Sequence, residues 1–298
     1  MEIRQLKAFA TAARLSGFGR AAELLGYAQS SVSAQIQSLE QELGTILFER
    51  LGRRVTLTDD GARLLVYAEQ ILKLETEARA AASGSRVPRG TLTIGAAESL
   101  CVSRLPPLFQ EYRRRYPDVE LILKMGTRPD STQGLIDNIL DVAFIIDREL
   151  TAPLLVSEAL IKEPMVLVTA PGHPITQKAP LWPPDLQGES LILTEPGCYR
   201  DVLDRILAEA GIQPGPLLEF GSIEAIKQLI IRGMGTTLLP RIVVEREIAA
   251  GQLAELGWEG PEFRITTQIV RHKDKWLSPA QQALWKLARE MIGNGAEA

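Results

Sequence analysis

Residues 20–44 read RAAELLGYAQSSVSAQIQSLEQELG and constrain the fold more than any other part of this 298-residue chain. Two short helical patterns stand there on either side of a tight break. The first carries apolar Ala21, Ala22, Leu24 and Leu25. Gly26 then supplies the turn, because glycine enters left-handed backbone geometry without steric penalty and commonly follows a helix end. In the second pattern Val32, Ile36, Leu39 and Leu43 recur at spacings of four, three and four, one face of a helix. Its opposite face is Gln29, Ser30, Ser31, Ser33, Gln35, Gln37 and Ser38. These short, uncharged, hydrogen-bonding groups differ from the Lys/Glu mix of an ordinary solvated helix. They suit base edges in a major groove: Gln can pair bidentately with adenine, and Ser lets the backbone approach. A plain helix hairpin with a wet polar face would carry the same residue types, so the neighbouring sequence decides.

Upstream, Leu6, Phe9, Ala10 and Ala13 form a further helical stripe, which makes a three-helix unit. Downstream, LFERLGRRVTLT clusters Arg50, Arg53 and Arg54 around Gly52, and Val55 and Leu57 then alternate with polar residues as in a strand. A basic glycine turn feeding a short strand beside a helix-turn-helix reads as a wing. Its arginines would lie along phosphates or enter the minor groove. Double-stranded DNA is therefore the expected partner, met by Gln29, Ser30, Ser31, Ser33 and Gln35 together with Arg50, Arg53 and Arg54.

Residues 3–60 resemble the winged helix-turn-helix of the LysR-type transcriptional regulators. The resemblance rests on Leu6, Phe9, Ala21, Ala22, Leu24, Gln29, Ser30, Val32, Ser33, Gln35, Ile36, Leu39, Glu40, Leu43, Gly44, Leu47, Phe48, Arg50, Arg53, Leu57, Thr58 and Gly61 at fixed spacing. It extends more weakly over the rest of the chain. Two positions depart from the family pattern. Ala28 replaces a frequent Ser or Thr ahead of the recognition helix, the loss of a cap worth about 1 kcal/mol. Ala34 stands on the DNA-facing side where members often carry Arg, so operator preference does not carry over.

The resemblance implies an α/β chain with an N-terminal all-α winged helix-turn-helix (residues 1–58), a long linker helix and hinge (59–89) and an effector-binding domain (90–298). That last domain would consist of two Rossmann-like α/β subdomains, like a type 2 periplasmic binding protein. Subdomain I would span about 90–162 and 268–298, and subdomain II about 163–267. The resemblance further implies a tetramer made of two dimers, and RNA polymerase as a further contact. The sequence alone supports only self-association.

A net charge of −4 does not announce a nucleic-acid binder, and the charge is informative only by region. Up to Thr58 there are seven basic residues against five acidic ones, with the basic excess at the wing. An acidic remainder limits non-specific adhesion to nucleic acid and membranes. The N-terminus opens with Glu2, Arg4 and Lys7 and lacks an apolar run, no uncharged stretch is long enough for a bilayer, and two cysteines make no disulfide framework. The expected location is the cytoplasm, with no membrane partner.

Residues 59–82 hold no proline and one glycine, and Asp59 and Asp60 favour a helix start through the helix dipole. A helix of that length reaches roughly 36 Å. Leu65, Ala68 and Leu72 repeat at three and four. With no partner helix of similar length in the chain, that seam is expected to meet a second copy, which would call for a two-fold symmetric operator. The alternative is a helix packed on its own domain. SGSRVPRG at 83–90 then reads as a linker.

From Thr91 strands and helices alternate twice over: TLTIGAAE, a helix at 105–116, VELILKMG, STQGLIDNIL and DVAFIID, then MVLVTA, LILTEPG, a helix at 199–210, LLEFGS, a helix at 223–232 and TTLLP. A late strand at 264–270 and a last helix at 280–292 close the chain. This order predicts two subdomains with mostly parallel sheets. By resemblance the chain crosses between them twice, near 161–165 and near 263–268.

Open parallel sheets bind ligands beyond the carboxyl ends of their strands, where helix N-termini present free N–H groups. Here those points are residues 98–101, 126–128, 194–200 and 221–223. The candidate effector-binding residues are Ser99, Leu100, Cys101, Thr127, Thr194, Tyr199, Ser222 and Ile223, with Ser99 the strongest because family members commonly use the equivalent position. Simple helix capping is the alternative for each hydroxyl. The site suits a small carboxylate-bearing metabolite. Cys101 and Cys198 raise a thiol switch, but apart from Arg200 neither has a basic neighbour that would lower its pKa. No dinucleotide, phosphate-loop or hydrolase motif is present, and His173 and His272 lack ligand-spaced neighbours. No enzyme activity, cofactor or metal is expected. The rivals are a solute-binding protein with a non-functional head and an α/β enzyme with a DNA-binding head.

Overall fold

A computed structural model describes residues 1–51, 54–84, 86–178, 180–215 and 217–293, with the side chains of 50, 51, 54, 83 and 198 also outside the description. The chain forms two compact units, Met1–Ser85 and Arg86–Ala298.

In the first unit α1 (Ile3–Leu15), α2 (Phe18–Leu25) and α3 (Gln29–Leu43) are followed by a hairpin of β1 (Phe48–Leu51) and β2 (Arg54–Leu57), then α4 (Asp59–Ser83). Gly26 sits at φ +69° and ends α2, the backbone sign that glycine takes without strain. Fully buried Leu6, Phe9, Val32, Ile36 and Leu39 form one core with Phe48, whose ring meets Phe9 and Phe18 at 5.4 and 5.2 Å. Two expectations change here. Leu43, read as part of the apolar stripe, is exposed in the last turn of α3. The wing has two strands: 48–51, read as the approach to the turn, pairs antiparallel with 54–57. Gly52 and Arg53 lie outside the described residues.

Helix α4 belongs to the first unit. Thr58 caps it by accepting from the Gly61 amide at 3.0 Å. Gly61 is needed on steric grounds, since a Cβ there would land on the Leu47 carbonyl oxygen. Ala68 is 0% exposed, and Leu65 and Leu72 pack half-buried against the same core as Leu64 and Ile71. Arg14–Glu69 at 3.1 Å and Lys7–Glu75 at 3.4 Å flank this seam from α1. Of the predicted dimerisation stripe, Ala68 is enclosed within the chain, while Leu65 and Leu72 keep part of their surface exposed.

The second unit contains β3 (Gly90–Ala96), α5 (Glu98–Val102), α6 (Leu105–Arg115), β4 (Val119–Met125), α7 (Arg128–Ile136), β5 (Val142–Asp147) and β6 (Leu155–Lys162). It continues with β7 (Met165–Thr169), β8 (Leu191–Leu193), α8 (Cys198–Glu209), β9 (Leu217–Glu219), α9 (Ile223–Ile231), β10 (Thr236–Pro240), α10 (Arg241–Ala249) and β11 (Ala254–Leu256). After β12 (Thr266–His272) the described chain closes with α11 (Pro279–Met291). One sheet has the order β4-β3-β5-β12-β6 and the other β11-β7-β10-β8-β9. Both are mixed, which corrects the expectation of mostly parallel sheets. β12 runs antiparallel to β5 and β6, and β7 antiparallel to β10 and β11. The parallel parts are β4-β3-β5 and β10-β8-β9.

The chain passes from the first sheet to the second between β6 and β7 and returns between β11 and β12. At this double crossing Glu163 donates its amide to the Ile265 carbonyl at 2.9 Å. The Glu163 carboxylate is enclosed, accepting from Arg104 Nη2 at 2.9 Å and from the Thr267 hydroxyl at 2.6 Å. Two side chains, Arg104 and Thr267, thus hold a buried carboxylate at the double crossing. Among the described residues no helix is long and apolar enough to cross a membrane.

Candidate nucleic-acid interface and ligand cleft

Helix α3 has two unlike sides. Val32, Ile36 and Leu39 are sealed in the core, while Gln29, Ser30, Ser31 and Ala34 are exposed. Ser33 is half-buried at the edge of that surface. Ala28 occupies the N-cap and no side chain caps the helix, so the first turn presents its amides beside the exposed Gln and Ser groups. Gln35 departs from the prediction. It is half-buried, and its carboxamide oxygen is enclosed without a partner, which turns that end away from solvent. Ser38 is also committed, accepting from Gln5 Nε2 at 3.1 Å.

The sequence reading missed what holds the wing to this helix. One oxygen of Glu40 accepts from the amides of Leu47 at 2.8 Å and Phe48 at 3.4 Å, and Thr58 donates to the Ile46 carbonyl at 2.7 Å. The available signal was an acid, Glu40, in the last turns of a helix whose first turns are faced with Gln and Ser. In the hairpin Arg50 pairs with Val55 and Arg54 with Leu51, which sets both arginines on the wing strands. Their side chains, and Arg53 as a whole, lie outside the described residues.

Between the two sheets of the second unit lies a cleft of about 590 Å³. It lies beyond β3, β4 and β8, where α5, α7, α8 and α9 begin. Of the predicted residues it brings together Ser99, Thr127, Thr194, Tyr199, Ser222 and Ile223. Ser99 is 2% exposed, and among the described residues its hydroxyl has no partner. Thr127 is committed to capping α7: it donates to Asp130 at 2.7 Å while its amide donates to the same oxygen at 2.9 Å. These bonds hold the Asp130 carboxyl below the usual range. Tyr199 contributes a packed wall at 4% exposed.

Leu100 and Cys101 are not among the cleft-lining residues, which corrects their assignment. Leu100 is a core residue, because successive helix positions point about 100° apart and Ser99 already takes the cleft side. The Cys101 thiol lies 3.9 Å from the Ala96 carbonyl. Burial first, and the charge of Glu98 second, push it up to about 11, so it stays a protonated filler. The side chain of Cys198 lies outside the described residues. Arg200 is drawn into local structure, donating to the Thr194 carbonyl at 2.6 Å and to Glu219 at 2.5 Å.

Charged residues missed as site residues dominate the rest of the lining. The Glu98 carboxylate reaches across to the far subdomain and accepts from the Ser222 hydroxyl at 3.3 Å and the Ile223 amide at 3.1 Å. Arg128 stands 3.1 Å from Oδ2 of buried Asp147, close enough for ion pairing but without hydrogen-bond geometry. The Glu195 carboxylate lies against Gly221. The arrangement offers amides, hydroxyls and fixed charges to a small polar ligand, with no nucleophile paired to a base.

Residues 3–62 match the bacterial regulatory helix-turn-helix protein, lysR family, and residues 85–293 match the LysR substrate binding domain. The chain is 43% identical to the uncharacterized HTH-type transcriptional regulator YwqM of Bacillus subtilis, over 97% of this chain and 99% of that one. It is 37% identical to HTH-type transcriptional regulator GltR of the same organism, over 95% and 94%. Among solved structures, a full-length OxyR variant from Pseudomonas aeruginosa superposes with a TM-score of 0.70 at 25% identity, covering 98% of this chain and 94% of that one. Full-length CbnR complexed with its target DNA has the same fold, with a TM-score of 0.68 at 24% identity and coverage of 98% and 100%.

Proposed function

Since the chain belongs to the LysR family of DNA-binding transcriptional regulators, we propose that α3 reads a two-fold symmetric promoter site and that the cleft of the second unit sets the response. The observation that carries the DNA reading is the division of α3, with Val32, Ile36 and Leu39 sealed and Gln29, Ser30, Ser31 and Ala34 open on the other side. In this reading Gln29, Ser30, Ser31, Ser33 and the solvent-facing part of Gln35 meet base edges. Arg50, Arg53 and Arg54 of the wing meet phosphate or the minor groove. The effector is a small carboxylate-bearing metabolite held by Ser99, Ser222 and the Ile223 amide, with Thr194 and Tyr199 as neighbours. Its binding changes the spacing of the two sheets about the Glu163 hinge and, through self-association as a dimer or a tetramer of two dimers, the spacing of the DNA heads. RNA polymerase is contacted downstream of that change. The protein works on cytoplasmic DNA and needs neither catalysis nor a cofactor.

Footprinting on the DNA upstream of its own gene, over a salt series, tests the head. Gln29→Ala is expected to weaken specific binding by roughly 1–3 kcal/mol and leave the salt slope unchanged, whereas Arg53→Ala should lower that slope. Protection without sequence preference in the wild type would remove the reading. For the cleft, Ser99→Ala with Ser222→Ala should abolish the effector response, and an unchanged response would move the site elsewhere.

A further inference from the structure

The anion position at the N-terminus of α9 is filled by the chain itself. Glu98 opens α5 on one sheet's side of the cleft, and Ser222 and Ile223 open α9 on the other. The carboxylate of Glu98 takes the Ser222 hydroxyl and the Ile223 amide, the two donors that a ligand carboxylate would use there. An entering carboxylate must displace it, and the displaced Glu98 then remains in the cleft as a half-buried charge. The one cation among the described lining residues, Arg128, is already ion-paired with another carboxylate. Arg128 faces Asp147 at 3.1 Å, Asp130 is spent on Thr127, and Glu195 adds another negative charge beside Gly221. A purely anionic ligand would bring its charge against Glu98, Asp130 and Glu195 together. Ser99, buried and unpartnered next to Glu98, provides a further polar contact on the same wall.

We propose that the effector of this chain joins a carboxylate to a protonated amine, as an α-amino acid does, and that Glu98 is the residue that selects for the amine. The ligand carboxylate replaces that of Glu98 on Ser222 and the Ile223 amide, and the ligand ammonium pairs with the released Glu98. No charge is then left unpaired, and the tie that Glu98 makes across the cleft is exchanged for one through the ligand. This rests on the cleft being the effector site.

The test uses the full chain as wild type, Glu98→Gln, Glu98→Ala and Glu98→Ala combined with Ser222→Ala. Saturable thermal shifts are read with two sets of probes. One is sulfate at constant ionic strength. The other is the standard amino acids, each beside the α-hydroxy and α-keto acid of the same side chain. The wild type is expected to bind an amino acid that its amine-free counterparts do not match, and Glu98→Gln to lose that preference. Glu98→Ala should bind sulfate roughly ten-fold or more tightly than the wild type, as expected for two freed donors to a charged acceptor. Adding Ser222→Ala should reverse that gain. Amine-free acids binding the wild type as well as the amino acid would overturn the proposal while leaving the cleft as a carboxylate site. Equal sulfate affinity in the wild type and in folded Glu98→Ala would overturn it as well. Absence of any saturable shift in all four proteins would remove the effector-site reading and the proposal with it.

Discussion

The DNA-reading unit is held together by apolar contact, and the ligand-binding unit adds exchangeable polar ties to an apolar core where its subdomains meet. In the first, α1, α3 and α4 meet through Leu6, Phe9, Ile36, Leu39 and Ala68, and the ion pairs of Arg14 and Lys7 lie at the border of that seam. In the second one apolar cluster runs through both subdomains, and polar ties are added where they meet, Glu163 with Arg104 and Thr267, and Glu98 with Ser222 and Ile223. Apolar packing has no substitute partner, because a displaced side chain leaves a void. A hydrogen bond between carboxylate and amide can be exchanged for one to water or ligand at small net cost. A unit that must present one fixed surface uses the first kind of contact. The change of spacing in the proposed function would draw on the second kind, at the places where the subdomains are tied.

The comparison breaks most visibly at the hinge. Arg104→Ala leaves the enclosed Glu163 carboxylate without its cation and should destabilise the second unit by roughly 3–5 kcal/mol, the cost of orphaning one half of a buried pair. Denaturation followed by hydrogen exchange should show the loss in residues 86–293 and none in α3. Ile36→Ala is the mirror experiment and should cost the head roughly 2–5 kcal/mol, with the ligand-binding unit unchanged. If either substitution lowered protection equally in both units, the division between them would be wrong.

Smaller changes at helix starts sharpen the same contrast. Ser222→Ala removes the hydroxyl that accepts from the Ala225 amide at 3.5 Å, and should cost about 1 kcal/mol or somewhat less given that length. Ala28→Ser supplies the cap that α3 lacks and should add about 1 kcal/mol to the head. The two effects should have opposite signs in chemical denaturation of the full chain. A loss on Ala28→Ser would mean that the open amides of α3 already have another partner.

The head was largely legible because its information is local. Val32, Ile36 and Leu39 mark the buried face by period alone, and Gly26 marks the turn. The same periodicity could not tell which surface the Leu65–Ala68–Leu72 stripe would meet, since intrachain and interchain seams have one pattern. In the second unit the cleft segments were found from strand ends followed by small residues, but α5 spans only Glu98–Val102, too short for periodicity to separate Ser99 from Leu100. β6 was passed over because Glu158 and Lys162 interrupt its apolar alternation, as edge strands allow. Glu98 and Glu163 left no local trace at all. Their partners Ser222 and Thr267 stand more than a hundred residues away, and only the folded chain brings them together.

The smallest expected effect concerns Asp147, at the carboxyl end of β5. It is buried, and one oxygen accepts from the Arg148 amide at 2.7 Å. Burial outweighs that bond and the nearby arginines and pushes the Asp147 carboxyl above its ordinary value. The folded state therefore holds this proton more tightly than the unfolded chain does. Stability from that source is fully present below the unfolded value, about 3.9 for Asp, and is lost as pH rises through the higher folded value. Near neutral pH the ionised group is a burden, and Asp147→Asn, which keeps the acceptor for the Arg148 amide, should raise the midpoint of unfolding of the second unit slightly. As pH falls toward 4 the wild-type group becomes neutral and the advantage should close. An equal gap at both pH values would place its origin in packing instead of charge. The wild-type charge also bears on the cleft, since Asp147 faces Arg128, the one cation among the described lining residues, across 3.1 Å. Asp147→Asn should then also weaken the preference for an amine-bearing ligand, because a freed Arg128 could receive the displaced carboxylate in place of the ligand's ammonium.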